Sequence, residues 1–355
     1  MEKRREVLLT GIKPTGTPHI GNYFGAIKPA IEMANSGEYD SKYFIADYHA
    51  LTTVQDAKKL KQFNQEIAST WLACGLNPEN TTLYRQSDVP ETFELSTILH
   101  NVTPKRLMNL SHAYKAQVQA NQQQGKDNDT EVNMGLYNYP ILMAADIMLM
   151  NSNKVPVGQD QRQHIEIAQD IGQYFNNKFG KTLVIPQALI DEQVATIPGL
   201  DGRKMSKSYG NIIPLFGTEK ELEKLLKGIK TDSSLPHEPK PLDSSVFQMY
   251  QLFATPEQIA EMTERFKSGI GWGDAKKELF ATANGVLTPL RDKYNHLMAN
   301  PDQVEDILQD GAKKARIVAS ETVDRVREAI GVAPKKLFKV GFDATTKTDK
   351  EAGKC

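Results

Sequence analysis

The strongest constraint on the fold is a change in hydrophobic period near the start of the chain. Residues 7–10 form a short apolar run of the β type, which stops at residues 11–16, a loop with two glycines and one proline that we call the first loop. Beyond it, apolar residues from Ile20 to Ala34 recur at helical spacing. The pattern predicts a strand, a glycine-rich turn and an amphipathic helix.

The same alternation recurs further along the chain, where Leu60 to Cys74 mark a second helical face. Short buried strands between helices are typical of a parallel sheet with helices on both faces, in which ligands bind beyond the carboxyl ends of the strands. We therefore predict an α/β fold, with a Rossmann-type parallel sheet as the catalytic domain at residues 1–212 and the first loop at its active site. Further strand candidates are residues 43–46, 82–84 and 183–185.

Helical patterns replace strand-like runs beyond about residue 213. We predict an all-helical domain at residues 213–340, interrupted by a proline-containing loop at 232–241. Residues 341–355 are polar, and we expect a disordered tail there. The glutamine-rich stretch 117–124, with the residues that follow it, is typical of a mobile insertion.

The composition narrows the class of protein. The chain holds 43 Lys and Arg against 44 Asp and Glu, so a nucleic-acid partner would have to meet a local basic patch. Its two cysteines, Cys74 and Cys355, exclude a disulfide framework and cysteine-rich metal clusters. No apolar run approaches the roughly 20 residues of a membrane span, and no signal peptide is recognisable. We expect a cytoplasmic protein that does not enter membranes.

Two short segments have the chemistry of a phosphate site. The first loop leads into a helix start at His19, Gly21 and Asn22, where unpaired N–H groups and glycines favour a bound phosphate, although most glycine-rich loops are only turns. Lys204–Ser208, which we call the clamp segment, carries two lysines between glycines and suits a mobile grip on a triphosphate. An isolated segment of this kind is more often a solvated basic turn.

Together these two segments resemble the signatures of class I aminoacyl-tRNA synthetases. Residues 19–22 resemble the HIGH signature with Asn in the last place, and the clamp segment is similar to the KMSKS signature at every position. Their order and separation also fit that family. The resemblance implies an ATP-dependent enzyme with a Rossmann-type catalytic domain followed by a helical one.

A third region bears on the substrate. On a helix, Asp146 has Leu142, Met143, Leu149 and Met150 as its neighbours, so its carboxylate lies among apolar side chains, where an anion needs a partner. A buried acceptor beside a flat apolar slot suits an indole, which has one N–H donor and no acceptor. A helix cap or a structural salt bridge explains the same residue equally well.

Residues 139–150, with 155–166 after them, resemble tryptophanyl-tRNA synthetases more than the related tyrosyl enzymes. The resemblance implies that tryptophan and ATP give tryptophanyl-adenylate and pyrophosphate, and that tryptophan then passes to the terminal ribose of tRNA(Trp). It also implies Mg²⁺, a homodimer and an anticodon-reading helical part. Catalysis would be electrostatic, by Lys13, Asn22, Lys204 and Lys207.

The remaining site residues follow from the same resemblance. Two positions depart from the family pattern: Lys13 stands where relatives often carry Gln, and Gln117 where some carry a phosphate-facing lysine that Lys115 could replace. The ATP site implied is Lys13, Pro14, Thr15, His19, Gly21, Asn22, Gly158, Gln159, Asp160, Ala195, Lys204, Met205, Ser206, Lys207 and Ser208. The tryptophan site implied is Asp146, Gly11, His49, Tyr139, Met143, Val155, Val157 and Gln161.

Other charged groups have plainer interpretations. His164 and Glu166 lie near Asp160, but a helix start capped by Asp160 and Gln163 explains them better than a metal does. One cluster of basic residues is typical of a solvent-exposed helix face, although it could also bind tRNA phosphates. That cluster is Lys313, Lys314, Arg316, Arg325 and Arg327, and Arg85, Lys105 and Arg106 are comparable candidates.

Three alternative functions remain open. A tyrosyl-type enzyme would support pyrophosphate exchange with tyrosine only. A small-molecule nucleotidyltransferase of the same superfamily would have little use for the helical domain. A non-catalytic paralogue that binds tryptophan or RNA is disfavoured by the intact clamp segment.

Overall fold

The computed structural model describes residues 5–190 and 197–332, and its centre is a five-stranded parallel sheet. The strand order is β3-β2-β1-β4-β5. β2 and β3 are added on one side of β1 and β4 and β5 on the other, so the topological switch point lies between β1 and β4. This confirms the α/β prediction. The strands are β1 (Glu6–Ile12), β2 (Tyr39–Ile45), β3 (Thr81–Arg85), β4 (Lys154–Val157) and β5 (Gln187–Ile190).

Both faces of the sheet are covered, as a parallel sheet requires. Leu8 and Leu9 in β1 are both buried, and because successive side chains of a strand point to opposite faces they belong to two different hydrophobic cores. β1 continues to Ile12, two residues further than predicted, so the first loop begins inside the strand. Its residues 13–16 lie at the carboxyl end of the sheet, where the loop was predicted.

One strand assignment from the sequence was wrong. Residues 183–185 are not a strand, because the Asn176 side chain bonds both the N–H and the carbonyl of Leu183 at 2.9 Å and so replaces strand partners. The fifth strand is β5 instead. The sequence also missed β4, whose Pro156 lacks an N–H and ordinarily argues against a strand inside a sheet.

Fourteen α-helices surround the sheet or follow it in the described ranges. A π-helical turn, Tyr23–Ile27, separates the first two. The helices are α1 (Ile20–Asn22), α2 (Lys28–Asn35), α3 (Asp47–Ala50), α4 (Ala57–Ala73), α5 (Glu91–His100), α6 (Lys105–Met108), α7 (His112–Gln123), α8 (Met134–Leu149), α9 (Arg162–Phe179), α10 (Glu219–Lys227), α11 (Ser245–Phe253), α12 (Pro256–Ser268), α13 (Trp272–Ala299) and α14 (Pro301–Ile330).

The second half of the chain is helical, as predicted, but it does not have a core of its own. One hydrophobic core joins residues on both sides of residue 212, and α14 returns to pack along β3. Gly311 in α14 lies directly against the Leu83 carbonyl of β3. The division into domains at residue 212 remains a prediction, and residues 341–355 lie outside the described residues.

The glutamine-rich stretch is helical, which differs from the insertion that we expected. It forms most of α7, and buried Asn121 donates to the carbonyls of Asn128 and Thr130, so it ties the segment that follows back onto the helix. Among the described residues, none of the helices has the length and apolar character needed to cross a bilayer.

Candidate active site

The helix start after the first loop is closed by its own residues. The His19 ring nitrogen Nδ1 accepts from the Asn22 N–H at 3.2 Å, and the Asn22 side chain accepts in return from the His19 N–H. Burial and the nearby Lys207 charge lower the pKa of His19 from 6.5 to about 4, which keeps the ring neutral and able to accept. The histidine and asparagine of the signature therefore hold the loop and the helix in one geometry.

The unpaired N–H groups expected at this helix start are all bonded. Ile20 donates to the Ile213 carbonyl at 2.9 Å, Gly21 donates to the Met205 sulfur at 3.3 Å, and the Asn22 N–H is held by His19. Free amides are not found here, because one acceptor comes from the helix start itself, one from the clamp segment and one from the residues just after it. The formal positive charge beside this helix start comes from Lys207.

The clamp segment meets the first loop, as the two-motif interpretation requires. Met205 is buried, whereas Lys204 is exposed. The Lys207 ammonium group lies 3.4 Å from the Thr15 carbonyl, and partial desolvation lowers its pKa. The side chains of Ser206 and Ser208 bond each other at 2.8 Å.

Asn211 organises the clamp segment, and sequence reasoning missed it. Its side chain is buried, accepts from the Ser206 N–H at 2.9 Å and donates to the Lys204 carbonyl at 3.1 Å and to Asp201 at 2.7 Å. Gly199 packs so closely against Asn211 that a Cβ atom would overlap it. A polar residue just after a flexible motif was the only available signal.

Lys13 points toward the amino-acid half of the site. Its ammonium group donates to Thr52 Oγ1 at 2.7 Å, and Thr52 in turn donates to the His49 carbonyl at 2.8 Å. Burial lowers the pKa of Lys13, and the described residues give it no ion-pair partner. A half-buried cation of this kind favours an anionic ligand.

Asp146 lies in α8 with 3% of its surface exposed. One carboxylate oxygen lies 2.9 Å from His49 Nε2, and both oxygens lie 2.9 Å from Gln86 Nε2. Desolvation raises the pKa of Asp146, while the bonds from His49 and Gln86 act in the opposite direction. The sequence predicted the buried carboxylate and His49, but it carried no signal for Gln86.

The other residues predicted to bind tryptophan lie on helices, strands and turns around Asp146. Tyr139 and Met143 are on α8, and the Tyr139 hydroxyl lies 2.6 Å from His164 Nε2. Val155 and Val157 are in β4, and Gln161 ends a short 3₁₀ turn after that strand. Gly11 lies against the Phe44 ring, which leaves no room for a Cβ atom.

Several predicted residues lie at the edge of this arrangement or outside it. Pro14 belongs to the first loop. Gly158 precedes the 3₁₀ turn at residues 159–161, and Gln159 begins it. Ala195 lies outside the described residues, as does the side chain of Asp160. α9 begins at Arg162 with Gln161 as its N-cap residue, and the capping side chain predicted at Asp160 lies outside the described residues.

Most side chains of the basic cluster are paired with other groups of the same chain. This pairing supports the interpretation of the cluster as a solvent-exposed helix face. Each of four members contacts a polar or acidic group, and Arg85 bonds Asp88 and Glu305. The four pairs are Lys314 with Asp310, Arg316 with Glu91, Arg325 with Asn151 and Arg327 with Glu94.

Comparisons with known proteins agree with this geometry. The family model for class I tRNA synthetases (W and Y) matches residues 1–288. The tryptophan–tRNA ligase of Neisseria meningitidis is 50% identical over 95% of this chain and 100% of its own length. That of Pseudomonas putida is 50% identical over 98% of this chain and 78% of its own length.

Solved structures give the same result. A crystal structure of the tryptophanyl-tRNA synthetase from Campylobacter jejuni, in complex with ADP and tryptophan, is 41% identical with a TM-score of 0.83, over 92% of this chain and 99% of that one. The chain therefore belongs to the class I tRNA synthetases of the tryptophan and tyrosine family. Half-identity to curated tryptophan–tRNA ligases over nearly the whole chain assigns it to the tryptophan branch.

Proposed function

We propose that this site joins tryptophan to tRNA(Trp) in two steps, with Asp146 selecting the amino acid and the two lysine-bearing loops acting on ATP. The observation that carries the proposal is the buried Asp146 carboxylate, at the same end of the sheet as the contact between the first loop and the clamp segment. Such a site needs no nucleophilic side chain, because both steps depend on positioning and charge.

The amino acid is held at the Asp146 end. The indole N–H donates to Asp146, and the ring lies against apolar side chains of α8 and β4, among them Met143 and Val155. A site built around this hydrogen bond should favour tryptophan over an analogue without the N–H donor by about 10⁴-fold or more in kcat/KM. The remaining proposed contacts are Gly11, His49, Tyr139, Val157 and Gln161.

The ATP phosphates lie between the first loop and the clamp segment. The tryptophan carboxylate attacks the α-phosphorus, the bond to the bridging oxygen breaks, and pyrophosphate leaves with the electron pair. Lys204 and Lys207 stabilise the charge on this leaving group, and Lys13 faces the reacting carboxylate and α-phosphate. The terminal ribose hydroxyl of tRNA then attacks the acyl carbon and AMP departs.

Mg²⁺ enters this site with its nucleotide. Within residues 5–190 and 197–332 there is no group of three or more His, Cys, Asp or Glu side chains arranged to hold a metal. Magnesium is commonly held by substrate phosphates with few protein ligands. The phosphate end, lined by lysines and glycines, fits Mg·ATP better than a resident ion.

Pyrophosphate exchange into ATP tests the first step. We expect exchange with tryptophan and not with tyrosine, and Asp146→Ala raises the KM for tryptophan far more than the KM for ATP. Equal increases in both would assign Asp146 a structural role only. Exchange that tyrosine alone supports would overturn the substrate assignment.

A homodimer working in the cytoplasm completes the proposal. Large apolar side chains are exposed near the amino-acid end, where the Tyr48 ring packs against Phe93. Light scattering at micromolar concentration distinguishes a dimer from a monomer, and Met134→Glu should weaken the dimer. The exposed residues are Tyr48, Leu51, Leu110 and Met134.

A further inference from the structure

Gln86 is a buried side chain whose amide nitrogen is bonded to the Asp146 carboxylate. It begins a 3₁₀ turn, Gln86–Asp88, immediately after β3, and 1% of its surface is exposed. Its Nε2 atom lies 2.9 Å from each carboxylate oxygen of Asp146. An amide nitrogen that bridges both oxygens of a carboxylate fixes the plane of that carboxylate as well as its position.

The orientation of the Gln86 amide follows from chemistry. An ionised carboxylate can only accept hydrogen bonds, so the NH₂ group must face Asp146 and the amide oxygen must face away. That oxygen is buried and has no partner in the described part of the chain. The amide therefore turns its donor group to one carboxylate at the cost of an unpaired oxygen.

The turn that carries Gln86 is fixed on both sides. Ser87 donates its N–H and its hydroxyl to the buried carboxylate of Asp47. Arg85 and Asp88 bond each other, and Arg85 also reaches Glu305 on α14. The backbone that carries Gln86 is therefore held by its neighbours, and the Gln86 side chain itself is buried.

The acceptor capacity of Asp146 leaves room for one ligand donor. A carboxylate has about four lone-pair sites. His49 takes one on one oxygen, and Gln86 occupies the space between the two oxygens. We propose that Gln86 is a positioning residue for amino-acid selection, which holds the Asp146 carboxylate as an oriented acceptor for the indole N–H. The inference rests on the proposed role of Asp146.

A substrate analogue isolates this function from general stability. β-(Benzothiophen-3-yl)-L-alanine replaces the indole N–H by sulfur and keeps the ring shape. The quantity to measure is the ratio of kcat/KM for tryptophan to that for the analogue, in pyrophosphate exchange by the full chain. We expect Gln86→Leu to lower this ratio about tenfold or more. Without Gln86, the Asp146 carboxylate loses its orientation and with it the hydrogen bond from the indole N–H, a bond to a charged group that the analogue never makes. The KM for ATP should not change.

Two further variants separate the contact from its surroundings. Ser87→Ala removes one bond of the same turn, keeps the backbone bond to Asp47 and does not touch Asp146, so its ratio should fall far less than that of the Gln86 variants. Gln86→Asn keeps an amide but shortens the side chain, and it should lower the ratio as Gln86→Leu does, which preserves the test if the leucine variant fails to fold. An unchanged ratio in either Gln86 variant, or equal losses on both substrates, would overturn the inference.

Asp146→Ala separates this inference from the proposed function. If Asp146→Ala abolishes the preference for tryptophan while the Gln86 variants keep it, Asp146 is the acceptor and Gln86 does not position it. If Asp146→Ala also keeps the preference, the acceptor role proposed for Asp146 fails, and the inference about Gln86 fails with it.

Discussion

The backbone N–H of Gly21 donates to the sulfur of Met205 across 3.3 Å. Gly21 lies at the helix start after the first loop, and Met205 lies in the clamp segment, 184 positions further along the chain. A thioether is a weak acceptor, so a phosphate oxygen competes well for the same N–H. This contact joins the helix start directly to the clamp segment, so the two signatures form one site.

The Lys207 ammonium group should matter for chemistry more than for binding tryptophan. Lys207→Ala removes a cation from the leaving-group side of the reaction, and we expect kcat for pyrophosphate exchange to fall about 10²-fold with the KM for tryptophan unchanged. Lys178→Ala, an exposed lysine in the last turn of α9, is the matched control and should leave kcat intact. A tryptophan KM that rises as much as kcat falls would contradict this role.

Asn211 should act through the clamp lysines, because it bonds the backbone at both Lys204 and Ser206. We expect Asn211→Ala to lower kcat about tenfold in the wild-type background, and by less than about twofold when Lys207 is already alanine. Residues that act as a unit are non-additive in this way. Single-turnover measurements of the four proteins in the cycle provide the test, and the same loss in both backgrounds would leave Asn211 with a purely structural role.

Much of the fold follows from the sequence because hydrophobic period is local information. β1 and the helix after the first loop could be located from spacing alone, and the two motifs located the phosphate end. Gln86 could not be found this way, since its partner Asp146 lies 60 positions further along the chain and is brought to it by packing. Asn211 bonds residues of its own loop, but hydrophobic period carries no information on how an irregular loop folds. β4 could not be predicted for a related reason, because a short strand with a proline is stabilised only by its neighbours in the sheet.

His19 should make stability depend on acid pH. Its pKa falls from 6.5 in the unfolded chain to about 4 in the folded one, so protons bind preferentially to the unfolded state. This contribution to the free energy of unfolding is complete above pH 6.5 and is lost as the pH falls toward 4. His19→Asn keeps a capping side chain without a titrating ring.

Urea unfolding at pH 7 and pH 5 measures that contribution. The wild type should lose more free energy of unfolding between the two pH values than His19→Asn does. Carboxylates titrate in both proteins, so only the difference between them reports on the ring. Identical losses would show that the environment of His19 is the same in the folded and unfolded chains.

Gly311 should be the least replaceable glycine of the helical part. In α14 it packs on the Leu83 carbonyl of β3, and a Cβ atom would overlap that oxygen, so Gly311→Ala has to push the helix away from the sheet. We expect a loss of about 3 kcal/mol in the free energy of unfolding. A Cβ atom added at Gly285 in α13 would meet nothing within 4 Å, so Gly285→Ala should instead add roughly 0.5–1 kcal/mol through helix propensity. Denaturant unfolding of the two variants should therefore give changes of opposite sign in the free energy of unfolding. No change in Gly311→Ala would mean that α14 does not pack on β3 this closely.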